Sequence, residues 1–129
     1  MKIIKNENID PFDIDGTLIV HNLEGYGERA AVFDHVTSEF VSVQINTAMV
    51  RLLKESKARG SYVIVWSRGG YQWASEVIKA LGLVDYVDLV LSKPMTYFDD
   101  TPVEKWLPYR VFIGPETIYK QTTSKRKDV

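Results

Sequence analysis

The chain has 129 residues, of which 45% are hydrophobic and 26% charged, a composition typical of a soluble globular domain with one core. Its formal net charge of −1 argues against a broad surface for nucleic acid or anionic lipid. It contains no cysteine, which excludes disulfides, thiolate zinc sites and cysteine nucleophiles. Because its start has no long apolar segment, we expect neither a signal peptide nor a membrane span, and a cytoplasmic location.

The first predicted core strand, residues 9–14, runs into the sequence DIDGTL at residues 13–18. Strand side chains alternate, so Asp13 and Asp15 would point the same way, and Gly16 permits a sharp turn directly after them. Two carboxylates this close repel each other unless a cation or a shared proton lies between them, and Mg²⁺ is the cation we expect. A solvated acidic turn stays open as an alternative. An EF-hand calcium loop fits less well because its glycine is the sixth residue, whereas Gly16 is the fourth of this motif.

Residues 19–45 predict a small flap and not a second domain. The stretches 31–36 and 40–45 are rich in β-branched and aromatic residues and are separated by the sequence TSE, a pattern typical of a β-hairpin. The flap aromatics Tyr26 and Phe33 could cover a substrate, although packing within the hairpin is the favoured interpretation. The apolar strands of the flap could also pair between subunits, which is a hypothesis of a homo-oligomer.

Helices and strands alternate along the rest of the chain, which indicates a parallel, three-layer α/β sheet of about five strands. We expect one domain over residues 1–121 and a disordered tail over residues 122–129. Pro11 conflicts with a central first strand because it donates no backbone hydrogen bond. The predicted elements are a helix capped by Asn46 and ending near Arg59, a strand at 61–66 buried on both faces, a helix at 71–81, strands at 84–91, 96–99 and 110–113, and one helical turn within 101–109.

Polar side chains follow four successive predicted strands. They are Asp13 and Asp15, then Ser67, then Lys93, then Asp99 and Asp100. Each has a common alternative explanation, such as a helix cap, a solvated lysine or a turn. Because the carboxyl ends of parallel strands share one edge, all of them can converge there. Carboxylates bind Mg²⁺, Ser67 and helix N–H groups suit phosphate oxygens, and Lys93 would stabilise an anionic transition state.

These motifs, in this order over residues 9–114, resemble the four motifs of the haloacid dehalogenase (HAD) superfamily. The resemblance implies a Rossmann-like sheet and Mg²⁺-dependent phosphoryl transfer through an aspartyl-phosphate. It implies that Asp13 is the nucleophile and a Mg²⁺ ligand. Asp15 would be the general acid and base, and would bind the metal through its main-chain carbonyl.

The resemblance also implies the remaining roles. Thr17 and Ser67 would hold phosphate oxygens, and Lys93 would balance the charge on phosphate and on the nucleophile. Asp99 would complete the Mg²⁺ site, with Asp100 acting through water or orienting it. The five residues between Lys93 and Asp99 are fewer than in many family members, and the flap is the only insertion. The chain therefore resembles the small, capless phosphatases of the superfamily, with no full cap domain.

Other candidate residues lie near these motifs. Arg68 is a candidate phosphate or substrate contact, although a loop arginine is more commonly solvated. His21 and His35 lie in the flap with no carboxylate at metal-ligand spacing, so we interpret them as surface or packing residues. We expect Trp73 in the core and Tyr71 near the mouth of the site.

The leading functional hypothesis is a Mg²⁺-dependent phosphatase acting on a small phosphometabolite, such as a nucleotide or sugar phosphate. A phosphatase acting on polynucleotide ends would suit an open site, but the net charge of −1 disfavours a nucleic-acid partner. The third hypothesis is a non-catalytic binding protein that keeps the fold. No membrane partner is expected.

Overall fold

The computed structural model describes residues 8–21, 27–113 and 120–121, and the chain divides into two compact units, Met1–Lys93 and Pro94–Val129. The architecture is mixed α/β, and the expectation of a single domain over residues 1–121 stays a prediction. The elements of the first unit are β1 (Ile9–Asp13), β2 (Ile19–Val20), β3 (Arg29–Asp34), β4 (Glu39–Ile45), α1 (Thr47–Ala58), β5 (Tyr62–Ser67), α2 (Tyr71–Ala80), a 3₁₀ turn (Val84–Tyr86) and β6 (Leu89–Ser92). The second unit contains α3 (Val103–Trp106), β7 (Val111–Phe112) and β8 (Lys120–Gln121).

A parallel sheet with the strand order β1-β5-β6 forms the centre of the first unit. Asp13 pairs with Trp66, and Ser67 pairs with Ser92, so the three strands finish at the same edge. Among the described strands β1 has only β5 as a neighbour, and an edge strand tolerates Pro11. The α/β prediction is confirmed in this coarser form, with three parallel strands.

The predicted flap forms a separate antiparallel sheet with the strand order β2-β4-β3. The predicted hairpin is confirmed, but β3 and β4 close at the pair Asp34 and Glu39, so the turn covers residues 35–38 and begins two residues before the predicted TSE turn. The ring of Phe33 lies 5.3 Å from that of Phe40 and 5.0 Å from that of His35, measured between centroids, so Phe33 packs within the hairpin. Tyr26 lies outside the described residues.

Both long predicted helices are confirmed. The side chain of Asn46 accepts the N–H of Met49 at 3.4 Å and caps α1. α2 follows Gly70, whose φ of 102° and ψ of 163° lie in a region that only glycine adopts readily. α2 contacts β5, β6 and β3, and therefore joins the parallel sheet to the hairpin.

The hydrophobic core lies in the first unit, and among residues 94–113 of the second unit none is buried. In β5 the side chains alternate between fully buried and half-buried, so the prediction of burial on both faces is wrong for one face. The largest fully buried side chains are those of Ile14, Leu18, Ile19, Leu53, Leu83, Val32, Val43, Val63, Val65 and Val77. They come from both sheets, the turn after β1, α1, α2 and the segment after α2.

The later strands differ from their predictions. Residues 96–99 contain no strand in the structure; Tyr97 and Phe98 are exposed, and the Tyr97 ring contacts Trp106 of α3. The strand predicted at 110–113 is β7, which pairs antiparallel with β8 and does not belong to the parallel sheet. The strand predicted at 84–91 starts as a 3₁₀ turn, and β6 follows it. Within the described residues, no helix is long and apolar enough to cross a membrane.

Candidate functional site

The segment after β1 turns back immediately and leaves two carboxylates at the edge of the sheet. The Ile14 carbonyl accepts the N–H groups of Leu18 and Ile19 at 3.0 and 3.2 Å. The Gly16 N–H donates to the Ile19 carbonyl at 2.8 Å, and Gly16 adopts a φ of 83°. A residue with a Cβ would be strained at this φ, which explains why the motif has glycine at this position.

Asp13 lies beside a cation. Its Oδ1 is 3.7 Å from Lys93 Nζ, and Thr17 Oγ1 donates to its Oδ2 at 3.4 Å. The Lys93 N–H donates to the Ser67 carbonyl at 2.8 Å, which holds this lysine at the end of β6. The side chains of Asp13 and Lys93 are 30% and 37% exposed, so both are accessible to a ligand from solvent.

Asp15 has different neighbours. Trp73 Nε1 donates to its two carboxylate oxygens at 3.0 and 3.2 Å, and Ser67 Oγ donates to Oδ2 at 3.1 Å. His21 Nε2 lies 2.9 Å from Oδ1. The Asp15 carboxylate is therefore fixed from three directions while its side chain remains 39% exposed. The two aspartates share one strand end but have separate environments.

Ser67 is fully buried, and its hydroxyl also accepts the Gly69 N–H at 3.0 Å. Its one hydroxyl proton is directed at Asp15, so the predicted phosphate contact would require that proton to change partner. At the start of α2, the Tyr71 N–H donates to Ser92 Oγ at 3.0 Å. The Tyr71 side chain is exposed, and its predicted place at the mouth of the site stays a prediction.

The other predicted site residues have these places in the structure. Arg68 is exposed, and no ion pair of Arg68 occurs within the described part of the chain. Asp99 and Asp100 belong to the second unit. Asp99 Oδ1 accepts the N–H and the hydroxyl of Thr101 at 3.0 and 3.1 Å, an Asx turn before α3. The pKa of Asp99 is lowered, mainly by the hydrogen bond from the Thr101 backbone N–H and further by that from the Thr101 hydroxyl.

The side chains at this strand end fit a Mg²⁺ ion that has few protein ligands. In the described ranges, no three His, Asp or Glu side chains are grouped closely enough to hold a metal ion. Protein-bound Mg²⁺ commonly has one or two carboxylate ligands, with phosphate and water completing its shell. The partly exposed Asp13 carboxylate is suited to such a shell. The metal roles of Asp15, Asp99 and Asp100 stay predictions.

Trp73 differs from its sequence interpretation, whereas His21 and His35 are exposed and make packing contacts, as expected of surface or packing residues. Trp73, expected in the core, is half-buried and donates to Asp15. His21 contacts the same carboxylate, and its ring stacks on Trp73 with centroids 6.4 Å apart. His35 Nε2 lies 2.9 Å from Glu76 Oε2 and joins the hairpin to α2. The sequence carries one signal for Trp73, since a tryptophan in the first turn after the strand end needs a partner for its N–H.

A cleft of about 440 Å³ adjoins Asp15 within the first unit. This volume is within the range of small-molecule sites. Its walls come from the segments after β1 and β2, from the tip of the hairpin, and from the start of α2. The lining polar and aromatic side chains are those of Asp15, His21, Asp34, His35, Gln72 and Trp73.

The arrangement provides a carboxylate beside an ammonium group, a second carboxylate held in place, and an adjoining cleft. These are the parts that covalent transfer of an anionic group requires: a nucleophile, an acid or base, and a positive charge. Comparison of the chain with family models, curated proteins and solved structures found no match.

Proposed function

We propose that the protein is a Mg²⁺-dependent phosphomonoester hydrolase of the HAD type, acting on a small phosphometabolite. The observation that carries the proposal is the pair of aspartates at the end of β1. Asp13 lies beside the Lys93 ammonium group, whereas Asp15 is held by Trp73, Ser67 and the His21 ring. Two carboxylates with different neighbours suit two different catalytic roles.

In the proposed reaction, an Asp13 carboxylate oxygen attacks phosphorus and the bond from phosphorus to the leaving-group oxygen breaks. Protonated Asp15 gives its proton to that oxygen, so the alcohol leaves as a neutral molecule. Asp15, now ionised, takes a proton from water as the water oxygen attacks the phosphorus of the aspartyl-phosphate. Inorganic phosphate leaves, and the Asp13 carboxylate is regenerated.

Lys93 and Thr17 have the positions needed for an anionic phosphoryl group at Asp13. Lys93 Nζ, 3.7 Å from Asp13 Oδ1, supplies a charge that attracts phosphate oxygens. Thr17 Oγ1 donates to Asp13 at 3.4 Å and could donate to a phosphate oxygen instead. Mg²⁺ bound through Asp13 would neutralise phosphate charge as a Lewis acid.

The proposal includes the Rossmann-like form of the sheet, with about five strands. Its support is the unit β5-α2-β6, two parallel neighbouring strands joined by a helix, which is the repeating element of such folds. The proposed activity is argued from the residues at the end of β1 and not from the fold.

The test is hydrolysis of p-nitrophenyl phosphate by the purified protein with Mg²⁺ and with EDTA. We expect metal-dependent turnover that Asp13→Asn abolishes, because an amide is a far weaker nucleophile than a carboxylate. Asp85→Asn is the matched control, since Asp85 is an exposed carboxylate in the 3₁₀ turn. It should retain full activity.

The covalent step has its own measurement. Acid-quenched wild-type protein incubated with ³²P-labelled substrate should carry label on one aspartate, and Asp13→Asn should carry none. Turnover that survives in Asp13→Asn would contradict the proposal, as would the absence of turnover across a panel of phosphometabolites.

A further inference from the structure

The cleft beside Asp15 is not accounted for by the phosphoryl chemistry at Asp13. In the proposed reaction the phosphate lies on the Asp13 side, where the Lys93 ammonium group would attract it. The cleft instead includes Asp15, Gln72 and the hairpin tip among its lining residues, and Lys93 is not one of them. It is therefore a separate compartment that shares one wall with the proposed site.

Asp15 links the two compartments. In the proposed reaction its proton goes to the leaving-group oxygen, so that oxygen must come within hydrogen-bond distance of the Asp15 carboxylate. The same carboxylate lines the cleft. An alcohol attached to a phosphate at Asp13 would therefore extend into the cleft.

The charges lining the cleft set a limit on that alcohol. Asp34 contributes a carboxylate, whereas Asp15 is the proton donor of the proposed reaction, so the charge argument rests on Asp34. No lysine or arginine belongs to the described lining, the His21 ring lies against Asp15, and the His35 ring contacts the Glu76 carboxylate. A carboxylate or a second phosphate entering the cleft would meet like charge without a compensating cation.

The walls are also held in place. Asp34 is half-buried, and its Oδ1 accepts the Val36 N–H at 2.9 Å, which fixes the turn of the hairpin. The contact between His35 and Glu76 joins this turn to α2. The carboxylate of Asp34 and the amide of Gln72 can accept hydrogen bonds from a ligand, and the ring of Trp73 offers an apolar surface.

We propose that this cleft binds the leaving-group alcohol and selects uncharged or cationic alcohols against those that carry a carboxylate or a second phosphate. Asp34 is the specificity-determining residue. This inference rests on the proposed function for its role in turnover, whereas ligand binding in the cleft can be measured without turnover.

The kinetic test compares glucose 6-phosphate with 6-phosphogluconate, whose leaving groups differ by a carboxylate and by ring closure, so the charge effect is measured as the change in their ratio between variants. We expect the wild-type protein to prefer glucose 6-phosphate in kcat/KM. Asp34→Asn should raise the ratio for 6-phosphogluconate over glucose 6-phosphate by about three- to tenfold, the size of one like-charge interaction at a partly solvated site. Asparagine keeps the oxygen that accepts the Val36 N–H, so the turn should survive.

Glu39→Gln is the matched control because Glu39 is the exposed partner of Asp34 across the same hairpin and does not line the cleft. It removes an equal charge and should leave the ratio unchanged. An unchanged ratio in Asp34→Asn, or an equal rise in Glu39→Gln, would overturn the role of Asp34.

A binding experiment keeps the two proposals distinguishable. The Trp73 indole N–H signal in a ¹H–¹⁵N spectrum, assigned by its loss in Trp73→Phe, reports on the cleft wall. Glucose, adenosine and choline serve as uncharged and cationic probes, and gluconate serves as the anionic probe. We expect a saturable shift from at least one of the first three and none from gluconate at the same concentration.

The outcomes separate cleanly. If no ester of the phosphometabolite panel is hydrolysed but a neutral or cationic probe shifts the indole signal selectively, the proposed function fails and the cleft remains a binding site of the stated class. If gluconate shifts the signal as strongly as glucose, or if none of the uncharged and cationic probes shifts it, the cleft proposal is wrong whatever the activity.

Discussion

Replacing Trp73 by phenylalanine tests whether Asp15 is positioned for proton transfer. The substitution keeps an aromatic ring and removes the Nε1–H that donates to both carboxylate oxygens at 3.0 and 3.2 Å. Ser67 Oγ remains as a donor to Oδ2, and His21 Nε2 remains beside Oδ1. The Asp15 carboxylate would therefore stay in place but would be less well fixed.

The magnitude follows from the exposure of the carboxylate. A hydrogen bond to a charged group contributes about 1.5–3 kcal/mol when buried. The Asp15 side chain is 39% exposed, so water can replace part of the lost interaction, and about 1 kcal/mol is expected. If the whole of that loss appears in the transition state, kcat/KM falls by about fivefold.

The assay compares two leaving groups, because an acid matters most when the leaving group is poor. An alkyl phosphate needs a proton on its leaving oxygen, whereas p-nitrophenolate leaves readily without one. Trp73→Phe should therefore lower kcat/KM by about fivefold for an alkyl phosphate and by less than about twofold for p-nitrophenyl phosphate. The parameter kcat/KM is the right one, since it reports the step in which the alcohol departs.

A double-mutant cycle with Asp15→Asn supplies the control. In that background Trp73→Phe should change kcat/KM for the alkyl ester by less than about twofold, because the proton-transfer group is already missing. An equal loss for both esters would show that the tryptophan acts through general packing. An undiminished effect in the Asp15→Asn background would refute the positioning role.

Two further predictions concern stability and are measured by urea denaturation. Ser56→Ala removes the hydroxyl that donates to the buried carboxylate of Asp10 at 2.9 Å, and should lower the free energy of unfolding by about 1–3 kcal/mol. Ser61→Ala is its matched control, because within the described residues the buried Ser61 hydroxyl has no hydrogen-bond partner. Its free energy of unfolding should be unchanged or higher. An equal loss of stability in both variants would contradict the argument. Gly70→Ala places a Cβ at a φ of 102° and should cost about 1–3 kcal/mol; an unchanged free energy of unfolding would show that the loop before α2 relaxes freely.

The sequence by itself determined the local elements of this protein. The alternation of β-branched and aromatic residues around the TSE turn predicts the hairpin, and Asn46 predicts the start of α1. The motif at residues 13–18 predicts a strand followed by a sharp turn, because Gly16 allows a positive φ that other residues resist. These features depend on neighbours within a few positions, and local preferences are sufficient to specify them.

Only the tertiary structure decided which side chains meet. Trp73 is 58 positions from Asp15 and His21 is 6 positions away, and neither spacing corresponds to a motif that predicts the contact. The cleft likewise exists only because α2 brings the hairpin tip beside the segment after β1. The absence of a strand at residues 96–99 has the same origin, since an apolar stretch becomes a strand only where a sheet and a core are present to receive it. Local chemistry therefore supplied the candidate nucleophile, and long-range packing supplied the neighbours that give the second carboxylate its proposed role.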